Sequence, residues 1–585
     1  MFNKKYSWIF IVIIAFVLIP LLYSCNKKNK SVVAEIGDEK IYLYEFENAF
    51  AKNTQYPDSL KYKTIEEKKD FLNVLIAFRL KAKDARERGM LNLPDIQQDI
   101  KDFQKNIHIF LVDKKVVLPA IKKLYDRKKY EVRASHILIT LPVGATEADS
   151  IKAYQKADQV IKRLESGEDF AVVAREMSDD GSVVKNNGDL YYFTGGNTVP
   201  EFEDAVYELS VGQITKKPVR TMFGLHIIKL TDKKKRLDAI RASHILIQDT
   251  RDSAGAIVDS MATLKKAEDI LNQLRNNGDF NKLAIENSQD PGSAAKGGDL
   301  GFFQRRRMEQ TFDSVAFSLK PGETSGLVRT PFGWHIIKVT EVRELPEFEK
   351  MYEVLKAEFK RSEAYKKDYA KYIADVRKDY KFEINSAGFE LFKSKLDSTQ
   401  TFGTINFDTL FTPQDRENVI ASFSGGSIKI GDVIAFLKSN PMFSGNAALY
   451  KAVMNVIDES SNPVLLNYVA FKEKIDKSDE YVEQLTEYEN GLLKFKVEQE
   501  EIQSKIKITE DDMRKYYQEN SSKYSYTDPN SNEQKIKNYD DVKGEISNEL
   551  QQKKFAELDK IYIENLKQKY QIKIYDSVLE KAFKE

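Results

Sequence analysis

With 585 residues the chain exceeds what one hydrophobic core organises, so about four domains are expected at ordinary domain size. Its 91 Lys and Arg balance 90 Asp and Glu, which leaves no net field to hold nucleic acid or an anionic membrane surface. Charged residues at 31% and aromatics at 11% suit long solvated helices with Tyr and Phe on their contact faces, and exclude a wholly disordered chain.

Lys4 and Lys5 precede an apolar stretch from Trp8 to Leu22, which runs into Leu22-Tyr23-Ser24-Cys25. The stretch is shorter than the ~18 to 20 residues of a spanning helix and contains Pro20, so residues 1–24 read as a cleaved signal peptide with a lipobox. The alternative is an uncleaved anchor with an incidental cysteine. Cys25 is the only cysteine, so it has no disulfide partner within the chain; its place resembles the lipidation acceptor of bacterial lipoproteins. Asn26 follows it where inner-membrane retention favours Asp, and Lys27, Lys28 and Lys30 are unlike an acidic surface-export tether. Outer-membrane attachment with the body in the periplasm is expected.

Residues 25–130 read as an N-terminal helical module, opened by Val33-Ala-Glu-Ile-Gly-Asp38. An internal repeat then appears. Arg133-Ala-Ser-His-Ile-Leu-Ile139 recurs as Arg241-Ala-Ser-His-Ile-Leu-Ile247, and Phe223-Gly-Leu-His-Ile-Ile-Lys229 as Phe332-Gly-Trp-His-Ile-Ile-Lys338. Between the paired blocks each copy has a helical stretch, a Gly followed by an acidic-Phe pair (Gly167 to Phe170; Gly278 to Phe280), and a Gly-Asp-Leu turn at Gly188 and at Gly298. Strand alternation puts Ala242, His244 and Leu246 on one face, and Gly333, His335 and Ile337 on one face of a partner strand, so both imidazoles can point into one site.

Beyond the repeat, a helix is expected from Phe348 to Tyr380, with an apolar stripe of Met351, Leu355, Phe359, Tyr372, Val376 and Tyr380. A matching stripe runs through Val542, Ile546, Leu550, Tyr562, Leu566 and Tyr570, and each is followed by a β-like tail, 381–384 and 571–574. Ile428-Lys-Ile-Gly-Asp432 faintly repeats the opening at Val33. Two related helical modules follow: residues 345–385 complete the first, and 386–585 form the second, which has only a polar loop from about Ser525 to Asn538 where the first holds its insert.

The R-A-S-H-I-L and F-G-x-H-I-I blocks around a G-D-L turn resemble the parvulin family over residues 131–232 and 239–343. The helical body resembles, more loosely, the SurA and PpiD periplasmic chaperones. The resemblance implies an α+β multidomain chain: a mostly helical SurA-like body with two inserted tandem parvulin domains, each an FKBP-like four-stranded antiparallel sheet with helices, acting on the bond before proline. In the second module it assigns catalytic positions to His244, Asp290, Thr330 and His335, with Leu300, Met308, Phe312 and Phe332 around the proline. In the first the corresponding residues are His136, Asp180, Thr221 and His226, with Leu190, Phe202 and Phe223, but Thr198 stands in place of Met308. A smaller, polar side chain there, and Tyr191-Tyr192 after Leu190, predict a weaker first module.

The histidine pair is expected to fix the pocket floor and tune Asp290, not to turn over protons. No H-E-x-x-H or C-x-x-C spacing accompanies the histidines, so no metal and no cofactor is expected. Arg305-Arg306-Arg307 reads as a solvated loop, and Arg251 between Asp249 and Asp252 is unlike a phosphate-reading cluster. The expected partners are unfolded polypeptides with X-Pro bonds and a membrane through Cys25, without nucleic acid. The rival readings are a non-catalytic holdase whose parvulin modules only bind extended peptide, and a scaffold lipoprotein.

Overall fold

The computed structural model describes residues 29–54, 60, 62–250, 258–527, 529 and 533–584. The expected signal peptide, Cys25 and the segment holding Arg251 and Asp252 lie outside them. The chain divides into two compact units, residues 117–367 and residues 1–116 with 368–585.

In the unit 117–367 two four-stranded antiparallel sheets follow one another. The first has the order Asp189–Phe193, Tyr130–Thr140, Gly224–Lys235, Val219–Thr221; the second has Asp299–Phe303, Leu237–Ile247, Gly333–Glu344, Val328–Thr330. Both faces of each sheet are covered, which is why the central strands are apolar on both sides. In the first module Ile137, Ile139, Leu225 and Ile227 pack under the helices Glu147–Glu165 and Phe170–Met177. Val132, Ala134, Ile228 and Leu230 pack on the opposite face with Phe202 and Val206 of the helix Pro200–Glu208. The second module repeats both clusters.

The repeated motifs have local causes. Asp169 and Asp279 are N-caps, accepting from backbone N–H groups of the helices they open, and the buried Phe170 and Phe280 are the first helical residues. Arg241 forks onto Asp299 at 3.2 and 2.7 Å, and Arg133 pairs with Asp189 in the same way, fastening the G-D-L strand to the R-A-S-H strand. Gly298 has φ +80°, and a Cβ there would lie 2.2 Å from the carbonyl oxygen of His244, so the turn requires glycine.

Only Arg236 separates the last strand of the first module from the first strand of the second, and its N–H donates to Lys129 O at 2.9 Å. The helices Leu118–Lys128 and Phe348–Lys360 flank the pair and pack on each other, with Tyr125 edge-on to Phe348 at 5.4 Å and its hydroxyl donating to Pro346 O at 3.0 Å. The chain therefore enters and leaves the tandem modules at neighbouring points, the geometry an inserted segment needs.

The other unit corrects part of the helical reading. Its two three-stranded sheets place Val32–Ile36 between Glu39–Tyr42 and Ile572–Ile574, and Val419–Phe423 between Glu383–Ile384 and Gly426–Lys429. The tail after the first stripe thus joins the sheet of residues 419–429, and the C-terminal tail returns to the N-terminal hairpin. Residues 345–385 do not close on the N-terminal hairpin: residues 345–367 fall in the unit of the tandem sheets, and Glu383–Ile384 pairs with Val419–Phe423. The faint repeat is also out of register, because Gly37-Asp38 forms a hairpin turn whereas Gly431 and Asp432 lie inside the helix Ile430–Ser439.

The helix expected from Phe348 to Tyr380 breaks after Lys360 and restarts at Glu363, with Ser362 Oγ accepting from Tyr365 N–H at 3.2 Å. The polar loop after Ser525 holds a short hairpin, Ser525–Thr527 with Gln534–Ile536. The helix Ile65–Glu87 contacts Asp479–Glu501 and Tyr539–Lys569, and carries a buried Lys81 whose ammonium meets Glu498 at 2.7 Å and also pairs with Asp559.

Candidate active sites

Each sheet carries two histidines on one face, covered by the helix Pro200–Glu208 in the first module and Gln310–Ala316 in the second. His244 stands two residues beyond Ala242 on one strand, and His335 lies on the next strand, where it is paired in register with Leu246. That diagonal brings the rings together, Nδ1 to Nδ1 at 3.2 Å, with both buried. His244 Nε2 meets Asp290 Oδ2 at 2.9 Å, and His335 Nε2 meets Thr330 Oγ1 at 2.8 Å. The first module reproduces the row: Asp180 Oδ2 to His136 Nε2 at 2.7 Å, His136 Nδ1 to His226 Nδ1 at 3.2 Å, and His226 Nε2 to Thr221 Oγ1 at 2.8 Å. All eight residues assigned to catalytic positions are therefore assembled in two equivalent rows.

The protons along the row follow from its ends. Burial raises the Asp290 carboxyl, but hydrogen bonds from Ser293 and His244 and the N–H of Gly292 outweigh it and hold the group below the ordinary carboxylate range. An ionised Asp290 only accepts, so His244 donates from Nε2 and its Nδ1 accepts from His335 Nδ1–H. His335 Nε2 then accepts from the Thr330 hydroxyl, whose oxygen accepts from Phe332 N–H at 3.1 Å. Every polar atom is satisfied with both rings neutral. Burial, reinforced by the neighbouring His244, pushes the His335 imidazole down to about 4; burial and His136 do the same to His226, also to about 4.

Above the row in the second module, Phe312 stands edge-on to both imidazoles at 5.6 and 5.3 Å. Leu300 and Met308 pack into the same apolar cluster. In the first module Phe202 takes the place of Phe312, at 5.8 and 5.3 Å, with Leu190 beside it. Val199, not Thr198, packs into that cluster, and the Thr198 hydroxyl is buried with no hydrogen-bond partner among the described residues. Phe332 and Phe223, expected around the proline, do not join these clusters and are 64% and 53% exposed.

Arg305 departs from the solvated loop expected of it. Its side chain is only 11% exposed and forks onto Glu131 of the first module, with both contacts at 2.7 Å. Its Nη1 also reaches the fully buried Asp313 at 2.9 Å. Tyr191 of the first module donates its hydroxyl to the same Asp313 carboxylate at 2.8 Å. Reading the motifs missed Glu131 and Asp313 and gave Tyr191 a role only in its own module; the signal available was an acid at one repeat position, Glu203 and Asp313, inside a helix otherwise apolar on its buried face.

Residues 120–234 and 228–343 each match the PPIC-type PPIASE domain family, and residues 1–115 match the SurA-like N-terminal domain family. Among curated proteins, the chain is 36% identical over 219 residues to a Chaperone SurA of Nitrosococcus oceani, covering 36% of this chain and 49% of the relative. It is 37% identical over 223 residues to a Chaperone SurA of Aromatoleum aromaticum, covering 37% and 48%. A third, from Albidiferax ferrireducens, is 30% identical over 283 residues, covering 46% and 55%. The chain thus spans about half the length of the curated relatives it matches. The two histidine rows are those of a tandem pair of PPIC-type, parvulin-family domains, carried behind a SurA-like N-terminal domain.

Proposed function

We propose that the chain is a peptidyl-prolyl cis-trans isomerase and chaperone that assists the folding of secreted and outer-membrane proteins in the periplasm. The observation that carries this reading is the unbroken row Asp290–His244–His335–Thr330 beside the apolar cluster of Phe312, Met308 and Leu300, which we read as the cup for the proline. Turning an X-Pro bond needs no nucleophile, since its barrier of about 18 to 20 kcal/mol is the loss of amide resonance. A dry cup that grips the pyrrolidine ring favours the twisted amide, which is less polar than the planar one. The row holds the floor of that cup without placing a net charge on either imidazole. Phe332 and Phe223, both exposed, offer apolar contact to the chain on either side of the proline.

Within this reading Asp290, His244, His335 and Thr330 are the catalytic row of the stronger module, and the first module is the weaker one because of Thr198. The clients are unfolded polypeptides, held by the helical body while the modules act. Outer-membrane attachment through a lipid on Cys25 belongs to the same proposal and rests on the lipobox-like sequence around it. Proline-limited refolding of a denatured protein in the presence of the full chain tests the enzymatic part. The slow phase should accelerate, and Met308→Ala should remove most of the gain; an unaccelerated phase defeats the reading. Labelled palmitate incorporation, with Cys25→Ser as the control, tests the anchor, which falls if the label is absent from the wild type.

A further inference from the structure

The rim loop of the second proline cup, residues 304–309, leads from the strand Asp299–Phe303 into the helix that carries Phe312. Asp313, fully buried in the first turn of that helix, organises the loop: it accepts from Arg306 N–H at 2.8 Å and from Arg305 Nη1 at 2.9 Å. In the first module Glu203 holds the same repeat position and accepts from Gly196 N–H at 2.6 Å. Its guanidinium partner is Arg127, at 2.9 Å, from the helix Leu118–Lys128. The second module has no such helix before it. Its loop supplies its own guanidinium, Arg305, and the remaining partners come from the first module: the carboxylate of Glu131 and the hydroxyl of Tyr191. Arg305 also lies over the Tyr192 ring at 4.7 Å, and Arg306 donates to the carbonyl of Leu190, the residue at the edge of the first cup. The single residue between the modules leaves this contact little slack.

We infer that Tyr191 and Glu131 of the first module are positioning residues for the second module's proline cup, so that its competence depends on the neighbour docked against it; this rests on the isomerase reading above. Met308 and Phe312 both lie between the anchored ends of this segment, Arg305 and Arg306 on one side and Asp313 on the other, and both belong to the apolar cluster. An Arg305 fork buried this deeply is stable only while all its acceptors are in place. Released from Glu131 and Tyr191, the loop carries Met308 away from the cup and substrate grip weakens, while the row Asp290–His244–His335–Thr330 is untouched.

The test uses the full chain with its first module silenced by Asp180→Ala, so that turnover of an Ala-Leu-Pro-Phe peptide reports the second. Tyr191→Phe, which keeps the ring packing and loses only the hydroxyl, should raise KM about threefold to tenfold with kcat nearly unchanged, and Glu131→Gln should act in the same direction. In the same chains the Met308 ε-methyl NMR signal, identified by its loss in Met308→Leu, should shift or broaden. An unchanged KM together with an unmoved methyl signal overturns the inference. A silenced parent chain that turns over no peptide defeats the reading of the second module as an isomerase, and the Met308 signal then decides by itself whether Tyr191 and Glu131 position the loop.

Discussion

His244 and His335 face each other Nδ1 to Nδ1 at 3.2 Å, so one of these nitrogens must donate and the other accept. The ionised Asp290 settles which, and the row has no capacity for a further proton without losing a hydrogen bond. The same holds for His136 and His226 in the first module.

A pH dependence of stability follows. An imidazole held down to about 4 in the folded state titrates at its ordinary 6.5 when unfolded, so as pH falls the unfolded chain takes up the proton first. Stability is full above 6.5, drains between 6.5 and about 4, and is level with respect to these groups below that. For His226 and His335 the loss is roughly 3 kcal/mol each, and the lowered His136 and His244 add to it in the same direction. Urea midpoints of the full chain against pH check this: the midpoint assigned to residues 117–367 should be flat from pH 8 to 7 and fall on acidification through roughly pH 6 to 4. A midpoint that rises on acidification contradicts the neutral row.

Thr198→Met should strengthen the first module. The substitution removes a buried hydroxyl that has no hydrogen-bond partner among the described residues and extends the apolar wall, so stability should rise by about 1 kcal/mol. Isomerisation by a chain whose second cup is weakened with Met308→Ala should increase several-fold. No gain would mean that the first module is limited by something other than its cup.

Gly298→Ala should cripple the second module. The added Cβ would meet the His244 carbonyl oxygen at 2.2 Å on a backbone with φ +80°, so the G-D-L strand must shift away from the histidine strand. A destabilisation of about 3 kcal/mol or more is expected, read as a lowered thermal midpoint of that module. An Ala variant as stable as the wild type would contradict the close approach.

In the other unit, Lys81→Met leaves Glu498 and Asp559 without the buried ammonium between them. The loss should be about 3 to 5 kcal/mol in denaturant unfolding of that unit. Additional Glu498→Gln and Asp559→Asn in the same chain should recover part of it, whereas a neutral Lys81→Met would show that the pair is already solvated.

The parvulin modules were legible because their determinants are local and occur twice. Arg133 with Asp189, the N-cap Asp169 and the glycine of the G-D-L turn each serve one nearby backbone feature, so the motif survives intact in both copies. Which sheets Glu383–Ile384 and Ile572–Ile574 join was not legible, since short β-like tails of similar apolar pattern carry no signal for the edge they pair with. Arg305 looked like part of a solvated run because one of its counter-charges, Glu131, lies 174 residues away along the chain. The break near Ser362 escaped because the stripe of buried residues continues in helical spacing on both sides of it.

The most direct measurement is cis-trans exchange of an X-Pro peptide by two-dimensional exchange NMR, with catalytic amounts of the full chain. Uncatalysed exchange takes tens to hundreds of seconds, and the account predicts at least about a tenfold acceleration, largely lost in Met308→Ala and abolished when Asp180→Ala is added. Exchange that proceeds at the uncatalysed rate with the wild-type chain, for every peptide tried, would contradict it.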